Sequence, residues 1–505
     1  MISFQNDVVS AALLRRQNFC LCLLTLLIGI LLTIFSERIP IDQGLGYDGM
    51  EYGQWAMHFD QVVRGEIPVT PYRVVRILPS AVAWSVMTIL GVNKIPENVI
   101  RFFQIYNLML LSLGAFAWGC VADAIKLRQQ GKVLGYLGLF CNYLVLKYNF
   151  YYPVLTDVTG YVGILCIIWA YLKNRPILLF LSTLAGSFSW PTICIYGGLL
   201  LVFPRQNKPL GVTRSSIARA PVLIVALLYL YFSLRPGVVT PPYHPLSVAI
   251  VCLYLGGAAW FLFSDSWYLS LKHLFGSCSI IRLGLGLAGA VVYIAGKGLA
   301  ADQPPDSFFG LSTLDMFAVY VRGICVPLST RLPGEFLVAH VLYFGPMLLL
   351  TACLTRQAAA EAGRFGFGYL LCVAAACLHG IMPLSRQVLA GYPFIVIVTV
   401  LTLERYELNK AFVVCFTFVS LFVSKVWLLV NSEADPKTAG TIHDKAFAWA
   451  PGFSFDRFIS STGRWMSADW YAVQAAFLLG LFILYYWYFH APTASKSSQY
   501  SEVCR

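Results

Sequence analysis

Between Gly46 and Pro79 the chain carries charged residues that a simple connector would not need, among them the carboxylates of Asp48 and Glu51 and the guanidinium groups of Arg73 and Arg76. The run Gly46-Tyr47-Asp48-Gly49-Met50-Glu51-Tyr52 sets Asp48 and Glu51 three residues apart, so that a helical turn puts both on one face. Tyr72-Arg73-Val74-Val75-Arg76-Ile77-Leu78-Pro79 follows, with Arg73 and Arg76 also three apart. A carboxylate held among aromatic rings at a membrane surface is partly desolvated, which raises its pKa toward the range useful to a general base. Asp48 is the expected base on this reading. Glu51 is a second catalytic acid and Tyr52 a substrate-binding side chain of the same turn. The plain alternative is a solvated loop that happens to be acidic.

Three more positions belong to the same chemistry. Asp157 closes Tyr151-Tyr152-Pro153-Val154-Leu155-Thr156-Asp157 and opens an apolar run, where an acid is equally a good helix cap or part of a site. Arg331 lies in Leu328-Ser329-Thr330-Arg331-Leu332-Pro333, and His379 and Arg386 bracket His379-Gly380-Ile381-Met382-Pro383-Leu384-Ser385-Arg386. Arginine offers a planar, permanently charged fork that matches phosphate. Arg73, Arg76, Arg331, His379 and Arg386 are therefore the expected substrate-binding cations, although each arginine could instead anchor lipid headgroups.

These residues sit in a chain of 505 residues that is 58% hydrophobic and 12% charged. Soluble domains carry roughly 25% charged residues, so the expected class is an all-α, polytopic, multi-pass integral membrane protein. The net charge of +12 is spread over short loops, as membrane orientation requires, and does not indicate nucleic acid. Most of the fourteen cysteines, Cys120, Cys166 and Cys372 among them, fall inside apolar segments and read as small hydrophobes. No C-x-x-C pair, nucleophile elbow or phosphate-binding glycine loop occurs.

The elements that must position the acids follow from the apolar runs. A retained first helix ends near Phe35, and the polar stretch from Ser36 to Arg76 comes next. Ile77–Val92 is short and is expected to lie along the outer interface, because a crossing there would set Lys126–Lys132 against the positive-inside rule. Further crossings are expected at 102–125, 133–150, 158–172 and eight later segments, the last ending at 489. The stretch Pro176–Phe203, with Ser189, Trp190 and Pro191 at its middle, reads as a broken helical hairpin. The total is about 12–14 transmembrane helices. Residues 1–490 form one transmembrane domain, with 36–101 as its outer catalytic loop, and 491–505 is a short cytoplasmic tail.

Several short motifs resemble the GT-C superfamily of integral-membrane glycosyltransferases. They are the acidic loop Tyr47-Asp48-Gly49-Met50-Glu51-Tyr52, the segment Arg76-Ile77-Leu78-Pro79, the Pro153-x-x-x-Asp157 junction, and Arg386 followed by Tyr392-Pro393-Phe394. The resemblance implies a polyprenyl-phosphate-linked sugar as donor and a glycan, lipid or protein as acceptor. It makes Asp48 the base and Asp157 a second acid of an active site on the outer, periplasmic or luminal, face, as in a bacterial inner membrane. Asp-x-x-Glu stands where an Asp-x-Asp pair would, which leaves a divalent cation open. Membrane lipids are the other expected partners. Two other readings stand beside this one, an O-antigen polymerase or ligase and a lipid or solute transporter.

Overall fold

The computed structural model describes residues 2–39, 41–69, 73–205, 220–234, 242–263, 278–298, 325, 328, 332–382, 384–406, 408–427 and 468–491. All regular structure among them is helical. In chain order the helices are α1 (Ile2–Phe35), α2 (Tyr47–Met57), α3 (Phe59–Val63), α4 (Leu78–Ile89), α5 (Pro96–Ala124), α6 (Gln129–Phe140), α7 (Asn149–Tyr151), α8 (Asp157–Leu172), α9 (Pro176–Ser187) and α10 (Ile193–Val202). There follow α11 (Ala220–Ser233), α12 (His244–Phe263), α13 (Ile280–Gly298), α14 (Glu335–Phe344), α15 (Met347–Cys353), α16 (Thr355–Gly363), α17 (Phe367–His379), α18 (Tyr392–Leu403), α19 (Lys410–Val423) and α20 (Ala468–His490). Arg331 and the tail 492–505 lie outside the described residues.

Helix α8 forms the axis of the site-bearing half. Its sequence is apolar on every side, so it can be stable only where every side is covered. Ile164, Leu165, Ile167 and Ile168 are fully buried. Helix α5 packs between α1 and α8, while α9 closes the other flank of α8 and leads into α10. The outer surface of the bundle is the reverse of a soluble protein's: Phe35 on α1 is 76% exposed and Trp487 on α20 is 70% exposed. Apolar surface of that extent suits lipid rather than water. Three segments, Arg16–Phe35, Pro96–Ala124 and Tyr471–His490, are long and apolar enough to cross a membrane. Most of the other apolar helices are shorter, such as α8 with 16 residues and α18 with 12.

Two expected crossings are broken, for identifiable reasons. The segment 133–150 is interrupted after Phe140, where Asn142 turns back. Its Nδ2 donates to the carbonyls of Gly138 and Leu139 at 3.0 and 2.9 Å, and its Oδ1 accepts from Val145 N at 3.0 Å. A π-helical turn, Leu144–Tyr148, and α7 continue the path. The segment 336–355 breaks at Gly345, whose φ of +91° is unfavourable for any residue with a Cβ, followed by Pro346. The Pro176–Phe203 stretch is broken as expected, with Phe188–Thr192 separating α9 from α10. Helix α4 has 12 residues, about 18 Å, which is too short for a hydrocarbon core of ~30 Å; it packs mainly against α2.

Candidate functional site

Asp48 enters the site through the glycines around it. Gly46 has φ +77° and opens α2, and Gly49 lies one residue past Asp48. A Cβ on Gly49 would sit 2.8 Å from the Val154 carbonyl oxygen, so only glycine lets the first turn of α2 rest on the 152–154 backbone. The Tyr152 hydroxyl accepts from Gly49 N at 3.0 Å and fixes that seat. From the other side Asn107 on α5 donates to the Pro153 carbonyl at 2.9 Å. Three residues beyond Val154 the chain reaches Asp157, the first residue of α8. The tight packing of Gly49 on Val154 is thus what brings two acids distant in sequence into one place.

Arg386 joins them. It sits on a 3₁₀ turn, Ser385–Val388, between α17 and α18. Its Nε and Nη2 donate to Asp157 at 3.1 and 3.0 Å, a two-pronged pairing, and its Nη1 donates to Asp48 Oδ2 at 2.9 Å. Asp157 is fully buried, whereas the Asp48 side chain keeps 36% exposure. One carboxylate is therefore structural in its surroundings and the other can meet solvent.

The second pair of arginines comes from the connection before α4. Arg73 pairs with Glu51 and approaches Asp48 Oδ1 at 4.0 Å. Arg76, 6% exposed, donates to the Tyr52 hydroxyl at 3.3 Å and lies over the Trp190 ring at 4.5 Å. Leu78 N donates to the Phe188 carbonyl at 3.0 Å, which ties this connection to the break between α9 and α10. Ser80 Oγ donates to the Tyr52 carbonyl at 2.9 Å and holds α4 on α2. The Trp190 ring also lies 5.8 Å from the Arg386 guanidinium. Cation–π contacts of this kind are worth about 2 kcal/mol when desolvated.

Asp48, Glu51, Asp157, Arg73, Arg76, Arg386 and Tyr52 are thus gathered at one place. His379 ends α17, and among the described residues no hydrogen bond or ion pair joins it to this cluster. Trp190 and Tyr152 are the members that residue type did not single out. The only sequence signal for either was position, Trp190 in a helix break and Tyr152 in the run that leads to Asp157.

The electrostatics differ from the sequence expectation. Burial does push the Asp48 pKa up, but Arg386, Arg76 and Arg73 together outweigh it, and the carboxyl lies below its ordinary value. Asp48 alone with aromatics would be a raised-pKa base; with three guanidiniums facing it, it is a stabilised anion. Burial raises the Tyr52 hydroxyl to about 12. Burial lowers Arg73, with Asp48 opposing. Arg386 is driven up: its burial cost is exceeded by the pull of Asp157, Tyr148 and Asp48. Among the described residues no group of three or more His, Cys, Asp or Glu side chains is arranged to hold a metal ion.

Beside the cluster lies an apolar cavity of about 470 Å³, within the size range of small-molecule sites. Tyr254, Leu337, His340, Phe344, Val388 and Tyr392 are among its lining. Val388 is the last residue of the turn that carries Arg386, so the cavity reaches that turn, although none of the charged residues of the cluster lines it. No protein family, curated protein or solved structure matches this chain.

Proposed function

We propose that the protein is a membrane glycosyltransferase of GT-C type, moving a sugar from a polyprenyl phosphate to an acceptor hydroxyl. The observation that carries this reading is Arg386, held between Asp48 and Asp157 and next to an apolar cavity. An arginine at such a junction suits a ligand that is anionic at one end and apolar at the other. A phosphorylated prenyl chain has that form, and its sugar would then lie at the solvent-reached acid, Asp48.

The chemistry is one displacement. The acceptor oxygen attacks the anomeric carbon, its proton goes to the Asp48 carboxylate, and the bond from that carbon to the phosphate oxygen breaks. The lipid phosphate leaves with the electron pair, and Arg386 and Arg73 hold its charge. A single displacement inverts the anomeric centre, unlike the two-step route of retaining glycosidases. In the free site Asp48 is a weak base because Arg386 lies against it. A donor phosphate that draws Arg386 toward itself removes the strongest of the influences lowering the Asp48 pKa. The carboxylate then becomes a better proton acceptor than in the free site.

Sidedness follows from α8. Its N-terminus carries Asp157, and its C-terminus, 16 residues or about 24 Å away, runs into Lys173-Asn174-Arg175. The positive-inside rule favours a cytoplasmic place for that basic end, which supports a periplasmic or luminal site for Asp48 and Asp157. The test is reconstitution in liposomes with defined polyprenyl-phosphate hexoses, scoring release of polyprenyl phosphate. Release that needs Asp48 is the expected result. Equal release by the Asp48→Asn variant, or none with any donor, overturns the reading.

A further inference from the structure

We infer that His340 is a positioning residue for Arg386, acting through Ser385. The inference rests on the reading of Arg386 as the group that binds donor phosphate. His340 lies on α14, is 5% exposed, and lines the apolar cavity. Both ring nitrogens are engaged. Nε2 is 2.9 Å from the Gly380 carbonyl oxygen, and Nδ1 is 2.9 Å from Ser385 Oγ.

Those two distances assign the tautomer. A carbonyl can only accept, so Nε2 carries the proton, and a neutral ring then has Nδ1 as acceptor. Ser385 therefore donates its hydroxyl proton to Nδ1. The two partners stand at opposite ends of the connection between α17 and the 3₁₀ turn: Gly380 directly follows α17, and Ser385 opens the turn. One imidazole thus clips both ends of that connection to α14.

The clip adds a side-chain tie to a turn whose own backbone closure weakens just past the arginine. Gln387 N donates to the Leu384 carbonyl at 3.0 Å, but Leu389 N reaches the Arg386 carbonyl only at 3.4 Å, near the limit of a hydrogen bond. Ser385 is fully buried, and its hydroxyl proton goes to His340. The next residue aims three N–H groups at Asp48 and Asp157. A shift of the turn by a few tenths of an ångström would misalign that fork, while the cavity itself would keep its apolar walls. The imidazole meets the cavity on one side and fixes the arginine turn on the other. A prenyl chain seated in the cavity would therefore lie against the residue that sets the phosphate-binding group.

The experiment measures binding of farnesyl phosphate and of farnesol to the detergent-solubilised full chain and to its His340→Leu, Ser385→Ala and double variants. Each single change is expected to weaken farnesyl phosphate about tenfold, the loss of roughly one hydrogen bond's positioning. The double variant is expected to lose no more than either single one, because both remove the same link. Farnesol, which has no phosphate, is expected to bind wild type and Ser385→Ala alike. Unchanged farnesyl phosphate affinity, additive losses, or an equal loss of farnesol binding by Ser385→Ala would each overturn the proposal. If His340→Leu does not fold, Ser385→Ala decides alone. Arg386→Gln separates the two levels. If it leaves farnesyl phosphate binding intact, the donor reading has failed; if it alone weakens binding, the positioning role has failed.

Discussion

Asp48 and Asp157 both grip Arg386, yet their amide variants should fail in opposite ways. Asp157 is fully buried and takes two hydrogen bonds at 3.1 and 3.0 Å. Asp157→Asn leaves a desolvated guanidinium short of its main counter-charge, a change that costs about 3–5 kcal/mol in buried pairs. Asp48 supplies one hydrogen bond at 2.9 Å from a side chain 36% exposed, so water screens and replaces part of what is lost. Asp48→Asn should cost about 1 kcal/mol after that discount. For turnover the order reverses. An amide cannot accept the acceptor's proton, and a general base typically contributes about 10²–10⁴-fold, so Asp48→Asn should lose at least that much with little loss of stability. The assay pairs thermal unfolding in detergent with sugar transfer from a polyprenyl-phosphate donor. Wild-type transfer by a folded Asp48→Asn variant would refute the base assignment. An unfolding midpoint for Asp157→Asn no lower than that of Asp48→Asn would refute the burial argument.

Other outcomes follow from the same contacts. Arg386→Gln removes the nearest cation from Asp48 while burial stays, so the acid limb of the residual pH–rate profile should move to higher pH; a limb that stays in place would separate the two groups. Because the Asp48 pKa is depressed on folding, its stabilising share is complete above the unfolded value of about 3.9 and is lost as pH falls through the folded value. Wild type should therefore be more stable than Asp48→Asn near neutral pH, with the difference shrinking toward zero as pH falls; a stability difference that does not change with pH would contradict this. Gly49→Ala puts a methyl 2.8 Å from the Val154 carbonyl, and overpacking of that kind costs about 1–3 kcal/mol, so transfer should fall as α2 lifts from its seat; full activity would show the seat to be slack. Glu51→Gln frees Arg73 but leaves Asp48 bound to Arg386, so it should weaken donor binding more than it slows chemistry, read as KM against kcat.

Local chemistry carried much of this in the amino-acid order alone. Apolar runs fix helices, since a backbone in lipid must satisfy its own hydrogen bonds, and α8, α18 and α20 fall within a few residues of where those runs predict them. Residue type also marked Asp48, Asp157, Arg73, Arg76 and Arg386, because charge is costly in such a chain and is kept only where something uses it. Only tertiary structure could decide which charges meet. Asp48 and Arg386 are 338 residues apart, and no periodicity encodes their 2.9 Å contact. It depends on how α2 seats on Val154 and how α14 clips the Ser385 turn. The sign of the Asp48 pKa shift changed for the same reason. Aromatic neighbours in sequence suggested a raised value, and three guanidiniums delivered by other segments lowered it. The break at Asn142 belongs with these, since an asparagine inside an apolar run reads as a tolerated polar residue until its side chain takes the backbone carbonyls. Short-range pattern sets where helices form, and long-range packing sets the field in which their charged residues act.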